Sequence, residues 1–175
     1  MIENALEIKG YMSVAELQWL AERAAESKVI VEIGSYYGRS ARALADNTRG
    51  KVYCIDPWPG PVLNEYGNIA ISSGNFVFEQ FKKNLGDHIQ TGKVIFHRGT
   101  VEDFPFEIEP DFVFIDGNHL EKPFRTDLEF ANKLVKKGVI SGHDYENTDW
   151  PAVKKVVDET YPEIERKEFI WSVRL

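Results

Sequence analysis

The chain has 175 residues, of which 43% are apolar and 28% are charged, and its formal net charge is −7. These values favour one globular domain over residues 1–175, and the acidic balance argues against a dedicated nucleic-acid binder, which normally carries a basic face. Neither a signal peptide nor an apolar run near the ~20 residues of a membrane span is visible, so we expect a cytoplasmic protein without a membrane or nucleic-acid partner.

Helical and strand patterns alternate along the chain. Ser13 and Glu16 have the spacing of a capping box, and they predict a helix that completes an N-terminal helical segment over residues 1–27. Further helices are predicted over residues 38–47, 75–85, 121–137 and 150–160. Strands are predicted at residues 28–33, 51–55, 93–96, 111–115, 138–141 and 169–175, with residues 164–167 as a partner of the last.

This alternation predicts an α/β fold. Strands that alternate with helices form a parallel sheet with helices on both faces. Such sheets bind ligands beyond the carboxyl ends of their strands, and polar residues follow five of the predicted strands. The segment 57–74 is rich in Pro, Gly, Asn and Ser, and we interpret it as a loop that could close over a site at that edge, or as an ordinary surface loop.

The turn after the first strand is the first candidate for ligand binding. It runs from Gly34 to Gly38 and leads into a helix. Glycine lets a ligand approach the backbone closely, and a helix start offers unpaired N–H groups. A dinucleotide-binding turn would read G-x-G-x-x-G, and the middle glycine is missing here. Glu32 before the turn is a poor neighbour for a pyrophosphate, but it suits a cationic amine.

The ends of the second and third strands carry further candidates. Asp56 suits a bidentate grip on ribose hydroxyls, and its alternative role is a turn residue before Pro57. The stretch from Gly99 to Glu102 is small and polar, which fits either the border of an adenine ring or a plain turn into a helix.

The fourth and fifth strands each end in an aspartate, Asp116 and Asp144. Hard divalent cations such as Mg²⁺ prefer oxygen ligands, so this pair is a candidate metal site. His119 or His143 could instead act as a general base near neutral pH. The remaining alternative is two caps and a structural histidine.

Taken in order, these motifs resemble the class I S-adenosylmethionine-dependent methyltransferases, and within them the small O-methyltransferases of the macrocin and catechol type. The resemblance extends from about Gly10 to Leu175 and rests on VEIGSYYGRSARALA, CIDPW and FIDGNHLEKPFRTDLEFANKLVKKGVISGHDY. It implies a Rossmann-like three-layer sandwich whose seven-stranded sheet is mostly parallel with an antiparallel last strand. It also implies that S-adenosylmethionine is the cofactor and that a small molecule is methylated on oxygen. The alternatives are an NAD(P)-binding oxidoreductase and a non-catalytic S-adenosylmethionine-binding module, and a homodimer stays open.

The resemblance also implies roles for individual residues. The methionine part of the cofactor would be held by Glu32, Gly34, Ser35, Tyr36, Gly38 and Ser40. Its adenosine part would be held by Asp56, Trp58, Thr100, Val101 and Glu102. Asp116 would touch the cofactor amine or a metal, and Asp144 would be a metal ligand.

The chain departs from the metal-dependent relatives at two positions. Asn118 and His143 stand where those relatives tend to have carboxylates, so the use of Mg²⁺ or another divalent cation is left open. His143 is then a third candidate ligand beside Asp116 and Asp144. The candidate catalytic residues are His119, His143 and Asp144.

Overall fold

The computed structural model describes residues 1–58 and 74–175, and nearly all of the loop predicted at 57–74 lies outside these described residues. Within them, the helices are α1 (Glu3–Leu6), α2 (Val14–Glu26), α3 (Arg39–Asn47), α4 (Gly74–Asn84), α5 (Gly86–Gln90), α6 (Glu121–Leu134) and α7 (Pro151–Thr160). The strands are β1 (Val29–Ile33), β2 (Lys51–Ile55), β3 (Val94–His97), β4 (Phe112–Ile115), β5 (Val139–Gly142), β6 (Glu165–Lys167) and β7 (Ile170–Arg174). A short 3₁₀ turn spans Val101–Asp103.

The strands form one sheet in the order β3-β2-β1-β4-β5-β7-β6. All pairs from β3 to β5 are parallel, and β7 is antiparallel to both β5 and β6. The structure therefore confirms the predicted mostly parallel sheet of seven strands with an antiparallel last strand. The chain order reverses between β1 and β4, and a reversal of this kind opens a crevice at the carboxyl ends of the strands.

Each face of the sheet has its own apolar core, because successive side chains of a strand point to opposite faces. Ile30 of β1 packs with residues of α2, α3 and α4 on one face. Val31, next to it, packs with residues of α6 and α7 on the other face. This arrangement is the predicted three-layer sandwich.

Local signals in the sequence account for several helix ends. The Ser13 hydroxyl accepts a hydrogen bond from the Glu16 backbone at 3.2 Å, and the Glu16 carboxylate accepts one from the Ser13 backbone at 2.8 Å, so the predicted capping box is confirmed. The prediction that α6 continues to residue 137 was wrong, because Val135 is extended and buried and ends the helix there. None of the helices in the described ranges is both long and apolar enough to cross a membrane.

Candidate active site

A cleft of about 1300 Å³ opens at the carboxyl ends of the parallel strands. Ligand sites for small molecules typically occupy ~300–1,000 Å³, so this cleft has room for two ligands side by side. The predicted site residues that line it are Gly34, Ser35, Tyr36, Ser40, Asp56, Thr100, Val101, Glu102, Asp116, His119, His143 and Asp144. The other predicted site residues, Glu32, Gly38 and Trp58, lie outside the cleft lining.

The glycine turn is tight, and its backbone borders the cleft. Gly34 has φ +87°, and a Cβ placed on it would lie 2.1 Å from the backbone oxygen of Asp116. Gly38 has φ +89° and begins α3. Only glycine adopts such backbone angles without strain, and only glycine lets the ends of β1 and β4 approach so closely. Gly34 therefore shapes the wall of the cleft, and Gly38, outside the lining, allows α3 to start directly behind it.

Glu32 lies beneath this turn with no exposed surface. Its carboxylate accepts a short hydrogen bond from the Ser35 hydroxyl. Burial raises the pKa of Glu32 to about 7, although the Ser35 and Ser40 hydroxyls oppose the shift. The carboxyl group therefore gains or loses its proton near neutral pH. A cation placed nearby would favour the ionised form.

Asp56 supports the turn directly. Its Oδ2 accepts hydrogen bonds from the backbone N–H groups of Ser35 at 3.0 Å and Tyr36 at 2.9 Å, and its Oδ1 accepts one from Trp58 at 2.7 Å. The Trp58 ring is buried against phenylalanines of α4, and its indole N–H donates to the Tyr36 carbonyl. Trp58 thus stabilises the turn from behind, which differs from the cleft-lining position that the resemblance implies.

Two aspartates and two histidines lie together at the ends of β4 and β5. One ligand atom each from Asp116, His143 and Asp144 can be chosen so that all lie within 4.8 Å of one another. The Nδ1 atom of His143 is 3.1 Å from Asp144 Oδ2 and 3.8 Å from Asp116 Oδ1. The Nε2 atom of His119 is 2.8 Å from Asp144 Oδ2, and its ring stacks on Trp150 with 4.7 Å between centroids. The structure therefore brings these four side chains together, as their positions after the strands predict.

These four residues, Asp116, His119, His143 and Asp144, form the acid–histidine cluster. Two carboxylates and two protonated imidazoles balance one another in charge. Burial alone would lower the pKa of each imidazole. Asp116 and Asp144 outweigh it at His119 and raise its pKa to about 9, and Asp144, Glu16 and Asp116 raise the pKa of His143 to about 10. Burial would likewise raise the pKa of Asp144, yet the imidazoles hold it well below its usual range. Both histidines are therefore protonated at neutral pH.

Glu16 reaches the cluster from the N-terminal segment. Its side chain is 2% exposed. The Oε1 atom lies 3.1 Å from His143 Nε2 and accepts a hydrogen bond from the Phe169 backbone at 3.1 Å, while Oε2 serves the capping box. From the sequence alone, Glu16 is predicted only as a helix cap. No local signal links it to His143, because the fold brings the two together from positions 127 residues apart.

Other cleft residues were also missed. Tyr11 is 87% exposed, and its ring stacks on Tyr36 with 6.2 Å between centroids. Trp150 and Asp127 line the cleft as well. An aromatic or acidic residue outside a strand end has no distinctive sequence spacing, so these positions could not be separated from core and surface residues.

Comparisons with known proteins give one matching family model and several similar solved structures. A family model described as a methyltransferase domain matches residues 31–145. Similar solved structures include the O-methyltransferase TomG from Streptomyces achromogenes in complex with SAM, with 18% identity, a TM-score of 0.66, and coverage of 94% of this chain and 81% of that chain. They also include an O-methyltransferase from Bacillus cereus in complex with SAH, with 18% identity, a TM-score of 0.64, and coverage of 99% and 90%. No curated protein sequence matches the chain significantly.

The solved structures share the fold of this chain at low sequence identity, and the family match adds evidence from the sequence itself. The matched residues 31–145 make up more than half of the chain, and they run from β1 through the glycine turn to the acid–histidine cluster after β5. The chain therefore belongs to the methyltransferase domain family.

Proposed function

We propose that the protein is an S-adenosylmethionine-dependent methyltransferase that methylates a hydroxyl group of a small molecule. The observation that carries this proposal is a single cleft that joins the glycine turn after β1 to the acid–histidine cluster after β4 and β5. The family supports methyl transfer. The cofactor and the oxygen acceptor are supported by structural neighbours described as O-methyltransferases in complex with SAM or SAH.

The residues around the glycine turn fit the cofactor. Gly34 lines the cleft where the ends of β1 and β4 meet, and Glu32 can hold a negative charge behind the turn, opposite an ammonium group. Each carboxylate oxygen offers two lone pairs, so the three backbone bonds of Asp56 leave capacity for a ribose hydroxyl. When bound, S-adenosylmethionine supplies a methyl group on a positively charged sulfur.

The protein's own part in the transfer is alignment and proton handling. A direct displacement needs the acceptor oxygen in line with the methyl group, and the cleft would hold the two ligands side by side in that orientation. We assign the acceptor proton to the neutral form of His119, which forms as pH rises towards its pKa of about 9 and whose side chain is 21% exposed against 8% for His143. Its Nε2 is buried without an aligned hydrogen bond from the residues described, although two carboxylates lie near it. An acceptor hydroxyl would fill that vacant direction.

The cluster also fits a divalent cation. Asp116 and Asp144 offer oxygens, and His143 offers Nδ1 if the ring is neutral, while Glu16 holds its Nε2. A nitrogen ligand suits Mn²⁺ or Zn²⁺ better than Mg²⁺. A cation bound there would lower the pKa of a coordinated acceptor hydroxyl.

The test is a methyl-transfer assay. The purified protein is incubated with S-adenosylmethionine and a panel of hydroxylated small molecules, with Mn²⁺, Mg²⁺ or a chelator, and S-adenosylhomocysteine is measured by mass spectrometry. We expect product with at least one acceptor, a large loss in His119→Ala, and full activity in Glu129→Gln, an exposed position on α6. Binding of S-adenosylmethionine without turnover on any acceptor would instead indicate a non-catalytic module. No binding at all would overturn the proposal.

A further inference from the structure

One carboxylate oxygen of Glu16 takes no part in the helix cap. A capping box needs a single oxygen, and Oε2 fills that role by accepting the hydrogen bond from the Ser13 backbone. The other oxygen, Oε1, accepts a hydrogen bond from the Phe169 backbone and lies 3.1 Å from Nε2 of His143. Glu16 is 2% exposed, and carboxylates are almost never buried this fully unless they are paired. The contact with His143 therefore needs an explanation of its own.

This contact determines which nitrogen of His143 carries hydrogen. An ionised carboxylate can only accept hydrogen bonds, so the Nε2–H group of His143 must be the donor to Glu16. The other nitrogen, Nδ1, lies 3.1 Å from Asp144 Oδ2 and 3.8 Å from Asp116 Oδ1. When the ring holds a single proton, Glu16 keeps that proton on Nε2. The lone pair then lies on Nδ1, beside both aspartates.

The same contact selects the orientation of the ring. The His143 side chain is 8% exposed, and its ring lies against Phe169 with 6.2 Å between centroids and 66° between planes. Half a turn about the bond from Cβ to the ring would keep this packing but place carbon atoms where the two nitrogens now lie. Glu16 would then face a carbon atom and lose its donor. The hydrogen bond to Glu16 therefore favours the orientation that brings Nδ1 to the cluster.

We infer that Glu16 is a positioning residue, which holds the His143 ring with Nδ1 beside Asp116 and Asp144 as the nitrogen ligand for a divalent cation. A carboxylate that accepts the second ring N–H of a metal-binding histidine fixes its tautomer and orientation and makes it a more basic ligand. Removal of such a carboxylate typically lowers metal affinity by ~10–100-fold. This inference rests on the cation proposed for the cluster, and its test separates the two ideas.

The experiment is calorimetry of the metal-free protein with Mn²⁺. We expect Glu16→Gln to weaken Mn²⁺ binding at least tenfold, because one amide oxygen cannot serve Ser13, Phe169 and His143 together. Ser13→Ala is the matched control, since it removes the hydroxyl that caps α2 and keeps the Glu16 carboxylate. It should lower stability and retain the wild-type Mn²⁺ affinity. Glu22→Gln, at an exposed position on the same helix, should change neither.

A second measurement follows the ring itself. In ¹H–¹⁵N spectra of the protein saturated with Zn²⁺, the wild type should show His143 as a single tautomer with hydrogen on Nε2. Glu16→Gln should show a mixture of ring states or lose the protected Nε2–H signal. Ser13→Ala should keep the wild-type signal, because a loss of stability alone does not change the tautomer.

Two outcomes would overturn the inference. If Glu16→Gln retains both the wild-type Mn²⁺ affinity and the single tautomer, Glu16 does not position the ring, although the proposed function stands. If the wild type binds neither Mn²⁺ nor Zn²⁺, the proposed cation is wrong, and this positioning role falls with it.

Discussion

Replacement of Glu16 is the sharpest test of how the N-terminal segment supports the site. The buried carboxylate accepts hydrogen bonds from the backbones of Ser13 and Phe169, and it lies 3.1 Å from His143 Nε2. In Glu16→Ala, all three donors lose their acceptor, and the protonated imidazole loses one of its counter-charges. Breaking a buried ion pair by removing one partner costs about 3–5 kcal/mol. For a chain of this length, each 1 kcal/mol lowers Tm by ~2–4 °C, which gives a fall of roughly 6–20 °C.

The assay is urea unfolding at pH 7 followed by circular dichroism, with a thermal scan as a second measure. Glu22→Ala, at an exposed position on the same helix, is the matched control and should lie within ~0.5 kcal/mol of the wild type. Glu16→Gln should fall in between, because glutamine retains a capping-box acceptor but has only one oxygen for three donors. A loss below ~1 kcal/mol in Glu16→Ala would refute the assigned role, since that is about the loss of a helix cap alone.

Three further predictions follow from individual contacts. Gly34→Ala should weaken S-adenosylhomocysteine binding at least tenfold in calorimetry, because its Cβ would overlap the backbone oxygen of Asp116; unchanged affinity would show that the turn is not a binding wall. In the folded protein the pKa of Asp127 is raised to about 7, whereas in the unfolded chain this carboxyl ionises at pH ~4. As pH rises from about 4 to 7, the unfolded chain therefore ionises first, and the wild type loses stability. Asp127→Asn should therefore gain Tm over the wild type at pH 8 but not at pH 4, and equal gains would contradict the pKa. Asp144→Asn should weaken Mn²⁺ binding in calorimetry at least tenfold, whereas Glu129→Gln should not.

The architecture was largely predictable because its signals are local. Apolar runs of four to six residues, helical spacing and the Ser13–Glu16 capping box each depend on neighbours in the sequence, and they located most of the elements of the sheet and its helices. The position of polar residues directly after strands then predicted their convergence, since parallel strands end at one edge of a sheet. This is why Asp116 and Asp144 were expected to meet.

The features that the sequence did not predict depend on contacts between residues that are far apart along the chain. No local sequence pattern shows that a carboxylate oxygen of Glu16 lies beside His143 and is not exposed to water. The resemblance placed Trp58 beside the adenine, but its ring finds phenylalanines of α4 and its indole N–H finds a backbone carbonyl, so burial determines its position. Asp127 lies in the middle of a helix, where an acidic residue normally faces solvent. Its position in the cleft wall follows from the packing of α6 in the folded protein, which no local sequence pattern shows.

The most direct test of the proposed function is calorimetry of the wild-type protein with S-adenosylmethionine and, separately, with NADH, each with and without Mg²⁺. The glycine turn without a middle glycine, the buried Glu32 behind it and the family match predict binding of S-adenosylmethionine and none of NADH. Tight binding of NADH without binding of S-adenosylmethionine would contradict the proposed methyltransferase function.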